Sequence, residues 1–194
     1  MKPLVLILAF GALLGLSAGA TLAQSGTSDQ PAAEQDAAPA EPAVPPLPVR
    51  PPDPPSFQDG LLAYHRGDPG VAFRIWKPLA ERGNTAAQYS LGILYQQGEG
   101  VLRDLGMAAH WYRNAAERGD PDAQLNLGLL YAQGEGLRQD YVEAYKWFAL
   151  AFRAYPPGEY RDAAFRNREN AASAMTDAQI EKAEALVEAW RAKP

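Results

Sequence analysis

The chain has no cysteine among its 194 residues and only two histidines. Without cysteine it forms no disulfide and offers no thiolate to a metal ion, so packing alone has to hold the fold. The histidines, His65 and His110, do not stand at the spacing of a zinc motif. We therefore predict no metal, no cofactor and no histidine-based catalysis.

The chain also lacks a dense run of lysine and arginine, and its formal net charge is −5. Nucleic-acid binding requires a basic surface that neutralises phosphates, so this function is not predicted. Four arginines between residues 153 and 168 form a mildly basic region, but acidic residues are interleaved with them. This pattern is typical of a solvated surface of mixed charge.

No apolar run is long enough to cross a bilayer, which requires about 20 residues. The run Leu4–Leu16 follows the basic Lys2 and is followed by small residues. This order is typical of a secretory signal peptide over residues 1–23, with cleavage before Gln24. We expect a periplasmic or secreted protein that has no integral membrane span after cleavage. An uncleaved membrane anchor is the alternative.

Residues 24–55 have the composition of a linker. Ten prolines fall between Gln30 and Pro55, among alanines and a few acidic residues. Proline removes backbone donors and favours extended polyproline geometry, so this segment is predicted to be a disordered spacer without a core. Its alternative role is that of a ligand for an aromatic groove.

The remaining residues, 56–194, contain an internal repeat. When residues 87–115 are compared with residues 123–151, 14 of 29 positions are identical at an offset of 36. Repeats of this length indicate a helical solenoid. In each unit the apolar residues recur three and four positions apart, as in two amphipathic helices that bury their faces against each other. We call these helix A and helix B.

Capping signals divide this region into units. Asp68, Asn84, Asp104, Asp120 and Asp140 are predicted to begin helices, and Gly98 and Gly134 to end helix A. Thr176 and Gln179 form a predicted capping box. The resulting organisation is a degenerate repeat over 57–83, full repeats over 84–119 and 120–155, and a C-terminal capping helix pair over 156–193. Pro78 lies inside the second helix of the degenerate repeat, which we expect it to kink.

Two segments resemble the Sel-one-like repeat family, which is related to tetratricopeptide repeats. They read "AQYSLGILYQQGEGVLRDLGMAAHWYRNAAERGD" and "AQLNLGLLYAQGEGLRQDYVEAYKWFALA". The resemblance covers residues 84–155 well and 57–83 in part. It implies an all-α solenoid of antiparallel helix pairs, a right-handed superhelix in which helix A lines the concave side and binds protein or peptide partners.

Other motifs that suggest chemistry have a structural explanation. The loop "GEG" lacks the third glycine of a dinucleotide fingerprint and follows a helix, so we interpret its glycines as turn and packing residues. We expect its carboxylates, Glu99 and Glu135, to be solvated. The two "RGD" triplets fall where one helix ends and the next is capped. The "GLSAG" of residues 15–19 lies in the predicted signal peptide and lacks the setting of a nucleophile elbow.

The candidate binding surface consists of the helix-A side chains that do not face helix B. They are Tyr89, Ser90, Ile93, Gln96 and Gln97 in the first full repeat, and Leu125, Asn126, Leu129 and Gln133 in the second. Aromatic, aliphatic and amide groups together suit an extended peptide. The alternative for Ile93, Leu125 and Leu129 is packing between adjacent repeats.

The leading functional hypothesis is a non-enzymatic, exported scaffold that binds a protein or peptide partner. The alternatives are an enzyme or enzyme regulator that acts on cell-wall material, and a structural spacer whose working part is the proline-rich segment. The enzyme hypothesis is weaker because the sequence contains no convergent nucleophile, base or metal set. The oligomeric state does not follow from the sequence.

We predict that deletion of residues 30–55 lowers the melting temperature by less than about 2 °C, because a linker contributes no buried surface to the folded domain. Thermal unfolding followed by circular dichroism measures this. A fall of the size seen for a lost core contact would contradict the linker assignment.

Overall fold

The computed structural model describes residues 54–193, and this part of the chain is all-α. The predicted signal peptide, and all of the predicted linker except Pro54 and Pro55, lie outside the described residues. The helices are α1 Phe57–His65, α2 Pro69–Glu81, α3 Thr85–Gln97, α4 Leu105–Glu117, α5 Pro121–Gln133, α6 Tyr141–Ala154, α7 Glu159–Ala172 and α8 Asp177–Ala189.

Consecutive helices pack against each other from α1 to α7, so the predicted solenoid of antiparallel helix pairs is confirmed. Helices α1, α3, α5 and α7 occupy the helix-A position, and α2, α4 and α6 the helix-B position. The C-terminal cap is less regular, because both α7 and α8 pack mainly against α6. The chain end then returns to α4, where the Lys193 backbone N–H donates to the Glu117 carbonyl at 2.7 Å.

The predicted caps explain where most helices begin and end. Side chains of Asn84, Asp104, Asp120 and Asp140 each accept a backbone N–H from the first turn of the following helix. The capping box of Thr176 and Gln179 is present. Gly98 and Gly134 end α3 and α5 in the left-handed conformation, at φ 76° and 70°. These side-chain and glycine signals are local, which is why the sequence predicts them well.

Two details differ from prediction at the N-terminal end. Asp68 is the N-cap residue of α2, but its side chain makes no capping hydrogen bond. Pro78 lies within α2, Pro69–Glu81, as expected, and the kink at this residue stays a prediction. A capping box of Ser56 and Asp59 begins α1 and was not predicted.

Each helix pair is held by a close approach between a glycine of helix A and an aromatic ring of helix B. A Cβ added to Gly92 would lie 2.4 Å from the Tyr112 ring, and one added to Gly128 would lie 2.6 Å from the Phe148 ring. Gly60 and Trp76 repeat the contact in the degenerate unit, at 2.1 Å. Since real Cβ atoms do not approach other atoms this closely, only glycine fits at these positions.

Neighbouring repeats are joined by a hydrogen bond that recurs at equivalent positions of this chain. The buried amides of Gln88 and Gln124 donate through Nε2 to the carbonyls of Ala80 and Ala116, at 3.0 Å and 3.2 Å. Each bond links helix A to the C-terminal end of the preceding helix B, where carbonyls have no partner within the helix. Burial makes such a bond costly to lose, so it helps to fix how one repeat sits on the next.

The "GEG" loops also pack between repeats. Gly136 has φ 72°, and a Cβ added to it would lie 2.3 Å from the backbone of Leu105 at the start of α4. The expectation for Glu99 is wrong, because this carboxylate accepts the Tyr64 hydroxyl at 2.6 Å. Burial, and then this hydrogen bond, raise the pKa of Tyr64 to about 12. Glu135 is exposed, as expected.

We predict that Gly92→Ala lowers the free energy of unfolding by about 1–3 kcal/mol, because the added methyl group would overlap the Tyr112 ring. Chemical denaturation measures the change. Gly70→Ala is the matched control, since its Cβ would have no neighbour closer than 3.9 Å and it also lies in a helix. The control should raise stability by about 0.5–1 kcal/mol. Equal effects of the two substitutions would contradict this account of the helix pair.

Candidate functional site

The predicted binding residues are divided between the core and the surface of the helix-A side. Leu125 and Leu129 belong to the core, with exposed fractions of 3% and 1%. Ser90 is also buried, and its hydroxyl donates to the Ala86 carbonyl at 2.9 Å. Ile93 is half-buried and packs against the same core. Leu125 and Leu129 therefore pack within the array, and Ile93 does so with part of its side chain. Leu125, Leu129 and Ser90 are buried and not accessible to a ligand.

The three glutamines also differ in their surroundings. Gln96 is half-buried, and its Oε1 accepts the Tyr112 hydroxyl at 2.6 Å. Its backbone carbonyl accepts Arg103 Nε at 3.0 Å. Gln96 is therefore a structural residue of the first full repeat. Gln97 is half-buried and Gln133 is exposed, so their side chains are reachable from solvent.

Tyr89 and Asn126 are brought together from different repeats. Asn126 Nδ2 donates to the Tyr89 hydroxyl at 3.5 Å, and both side chains are half-buried. The Tyr89 ring also lies 5.8 Å from the Tyr112 ring, between centroids. This pair joins α3 to α5 at the surface of the helix-A side.

Three further residues continue this group toward α7, of which Tyr155 is buried, Asp122 is half-buried and Tyr160 is exposed. The Tyr155 hydroxyl donates to Asp122 Oδ1 at 2.6 Å, and the Tyr155 ring stacks on the Tyr160 ring with centroids 5.7 Å apart. Burial is the largest cause that raises the pKa of Tyr89 and that of Tyr155, and the charge of Asp122 raises both further. Tyr89 in turn contributes to the raised pKa of Tyr155, so the three side chains lie near one another. We define the tyrosine cluster as Tyr89, Asp122, Asn126, Tyr155 and Tyr160.

Sequence reasoning missed Asp122, Tyr155 and Tyr160 because it compared only equivalent positions of the two full repeats. Thirty-six residues earlier the chain has Ala86, Gly119 and Gln124, none of which has a similar side chain. Tyr155 and Tyr160 flank the join between the second repeat and the C-terminal cap. The sequence signal that could have identified these three residues is that they differ from the residues 36 positions earlier.

The hydroxyls of Tyr89 and Tyr155 keep their protons, because the pKa of each is raised. Burial is the main cause that raises the pKa of Tyr89, and nearby Asp122 and Asp120 add to it. The pKa of Tyr155 is raised by burial and by its hydrogen bond to Asp122. These groups therefore act as hydrogen-bond donors and not as bases near neutral pH.

The pKa of Asp120, which caps α5, is also raised. Burial raises its pKa from 3.8 to about 6, although its hydrogen bond from the Ala123 backbone N–H opposes the shift. Its carboxylate is thus ionised at neutral pH in surroundings that disfavour the charge.

The described residues show no site for a metal ion. Between residues 54 and 193, no three His, Cys, Asp or Glu side chains come together to hold one. His110 is exposed and lies 3.2 Å from the Asn114 amide, between Nε2 and Nδ2, and His65 is exposed. In the same part of the chain no helix is both long and apolar enough to span a bilayer. What the tyrosine cluster offers chemically is hydrogen bonding and ring contact.

We predict that Asp120→Asn raises stability at pH 7 by about 1–2 kcal/mol relative to the natural chain, with little effect at pH 4. A raised pKa means that the folded state favours the protonated acid, so the stability that Asp120 contributes is lost as the pH rises from about 4 to 6. Asparagine removes the charge and keeps the cap.

Denaturant unfolding of both proteins between pH 4 and 8 measures the effect. Asp104→Asn is the matched control, because Asp104 is an exposed cap of the same type. A stability difference for Asp120→Asn that does not change with pH would contradict the prediction.

Comparison with known proteins agrees with this geometry. The family model described as Sel1 repeat matches residues 85–120 and 121–154. A search of curated proteins finds no match. Solved structures do match, including a protective antigen of uropathogenic Escherichia coli strains that displays an SLR fold, with 32% identity and a TM-score of 0.58. That match covers 68% of this chain and 28% of the antigen.

A Sel1 repeat protein from Oxalobacter formigenes matches with 28% identity and a TM-score of 0.48, over 59% of this chain and 53% of that protein. The chain thus spans about a quarter of the length of the antigen and about half of the length of the Oxalobacter protein. The repeat match, the helix pairs and the likeness to the antigen agree, and this chain is a Sel1 repeat protein.

Proposed function

We propose that this protein is an exported, non-enzymatic scaffold that binds an extended peptide segment of a partner protein through the helix-A side. The observation that carries the proposal is the tyrosine cluster, which joins α3, α5 and the start of α7 in one surface of rings, hydroxyls and amides. Such a surface can contact apolar side chains and hydrogen-bond a peptide backbone.

Burial supports a smaller set of contact residues for this proposal. Tyr89, Ile93, Gln97, Asn126 and Gln133 are each at least partly exposed, whereas the Gln96 amide is engaged by the Tyr112 hydroxyl. Tyr160 joins them, since 36% of its surface is accessible. The buried Leu125 and Leu129 support the surface from below by fixing α5 in place.

A binding role fits the chemistry of the cluster better than an enzymatic one. The raised pKa values of Tyr89 and Tyr155 favour neutral hydroxyls, which are donors and poor general bases. The cluster contains one contact between a hydroxyl and a carboxylate, that of Tyr155 with Asp122, and its hydroxyl belongs to a buried side chain. Export is supported by the apolar run at Leu4–Leu16 and the small residues that follow it.

We predict that a photo-crosslinking amino acid at position 97 or 133 captures a partner in cells, and that Asn126→Ala with Tyr160→Ala abolishes the capture. These two substitutions remove polar and ring contacts and leave the buried core intact. Mass spectrometry of the crosslinked species identifies the partner.

Two controls make the experiment specific. The same crosslinker at position 102, whose leucine is 91% exposed in a loop, tests for random encounter. Thermal unfolding of the double variant tests whether it is folded. Capture from position 102 of the same species, or undiminished capture by the double variant, would remove the helix-A side as the binding surface.

A further inference from the structure

A second open feature, which we call the α4–α8 cleft, lies away from the tyrosine cluster and has a volume of about 840 Å³. Its walls are the last turns of α4 and α5, the loop that follows α5, the start of α6 and the first turns of α8. The lining includes cationic and aromatic side chains, among them Arg113, Arg138, Lys182, Tyr131, Tyr141 and Trp147.

The acidic side chains of the cleft are already engaged. Asp140 caps α6 by accepting the backbone N–H groups of Val142 and Glu143. Glu143 pairs with Lys146 at 2.9 Å, and Glu117 pairs with Lys193 at the chain end. Glu117 and Glu143 are thus paired with lysines, and Asp140 is the one carboxylate of the lining without an ion pair among the described residues.

Three cations of the cleft have no acidic partner among residues 54–193. Arg113 donates through Nη2 to the neutral Tyr131 hydroxyl at 2.9 Å. Arg138 and Lys182 are exposed, and no ion pair of the described chain includes either of them. The lining carries four cations, Arg113, Arg138, Lys146 and Lys182, and three carboxylates, Glu117, Asp140 and Glu143, so it has a formal excess of positive charge although the chain as a whole is acidic.

The repeat fold does not require this charge. Thirty-six residues earlier, the position of Arg138 is taken by Leu102 and that of Lys146 by His110. The wall that contains Lys182 comes from α8, which lies outside the two full repeats. Because the first full repeat folds without counterparts of Arg138 and Lys182, these two cations are available for a role other than stability.

The cleft also contains aromatic surface. Tyr131 and Tyr141 are half-buried in its walls, and the Lys146 ammonium lies 4.2 Å from the centroid of the Trp147 ring. Aromatic and arginine side chains are those that carry most binding energy at protein interfaces. Rings between spaced cations suit a ligand in which apolar residues alternate with carboxylates.

We infer that the α4–α8 cleft binds an extended acidic peptide segment of a partner protein, with carboxylates on Arg113, Arg138 and Lys182 and apolar side chains on the tyrosine rings. This inference does not rest on the binding surface proposed for the helix-A side, and each can fail without the other.

Fluorescence anisotropy with a labelled peptide of repeated Glu-Ala-Pro units tests the inference, with Gln-Ala-Pro and Lys-Ala-Pro peptides for comparison. At physiological salt, only the glutamate peptide should bind. Arg138→Gln with Lys182→Gln should weaken its binding about tenfold, since two of three charge contacts are lost. Both side chains are exposed, so the variant should unfold at the same temperature as the natural chain.

The matched control is Arg74→Gln with Arg166→Gln, which removes the same net charge from exposed sites on α2 and α7. It should leave the affinity within about twofold, because long-range charge effects are largely screened at this salt concentration. Asn126→Ala with Tyr160→Ala should also leave it unchanged, which separates this site from the helix-A side.

Three results would overturn the inference. The first is equal loss of affinity in the cleft variant and the charge control, which would indicate nonspecific attraction. The second is the absence of binding by the glutamate peptide, or binding of the glutamine peptide with the same affinity. The third is displacement of the glutamate peptide by single-stranded DNA of equal charge, which would assign the cleft to polyanions in general.

Discussion

The contact between a helix-A glycine and a helix-B ring determines how close the two helices of each pair can come. Tyr112 and Phe148 occupy the space that a Cβ would need at Gly92 and Gly128. The largest fully buried side chains of the chain include both rings, so the contact is at the centre of each pair. The other features of the array, from the loop geometry to the exposed surfaces, depend on this spacing.

Once the spacing is set, the positions of the array differ in how freely they can vary. Positions that pack, such as Gly128 and Leu129, are constrained by contacts within the core. Positions that face solvent differ between the repeats, as Leu102 and Arg138 show. Both binding proposals rest mainly on residues that differ between the repeats. The tyrosine cluster lies where the second repeat meets the cap, and the cations of the cleft lie where α8 covers the second repeat.

The sequence predicted the helices and their ends because capping and periodicity are local. Asp120 and Gly134 carry their signals within one turn of the helix they begin or end. The candidate surface was predicted less well. Burial of Leu125 and Leu129 depends on which neighbour covers α5, and a periodic apolar residue looks the same in the sequence whether or not it is covered.

The residues that sequence reasoning missed depend on contacts across the chain. Tyr155 and Asp122 are hydrogen-bonded although they are 33 residues apart, and neither has a counterpart in the preceding repeat. The cleft depends on the contact between α8 and α6. The spacing of apolar residues along the sequence does not predict which two helices pack together. In this chain, the packing within each helix pair could be predicted, and the polar contacts between neighbouring repeats and with the irregular cap could not.

The bond between Lys193 and Glu117 has a consequence for the order of folding. Most contacts of the array join neighbouring helices, which can form as soon as each helix pair exists. The Lys193 side chain and its backbone N–H instead reach a residue 76 positions earlier. This contact requires the chain as far as residue 193, and contacts of such long range form late. We therefore expect the repeats to fold first and the segment that contains Lys193 to dock on α4 afterwards, so that the array exists before this contact forms.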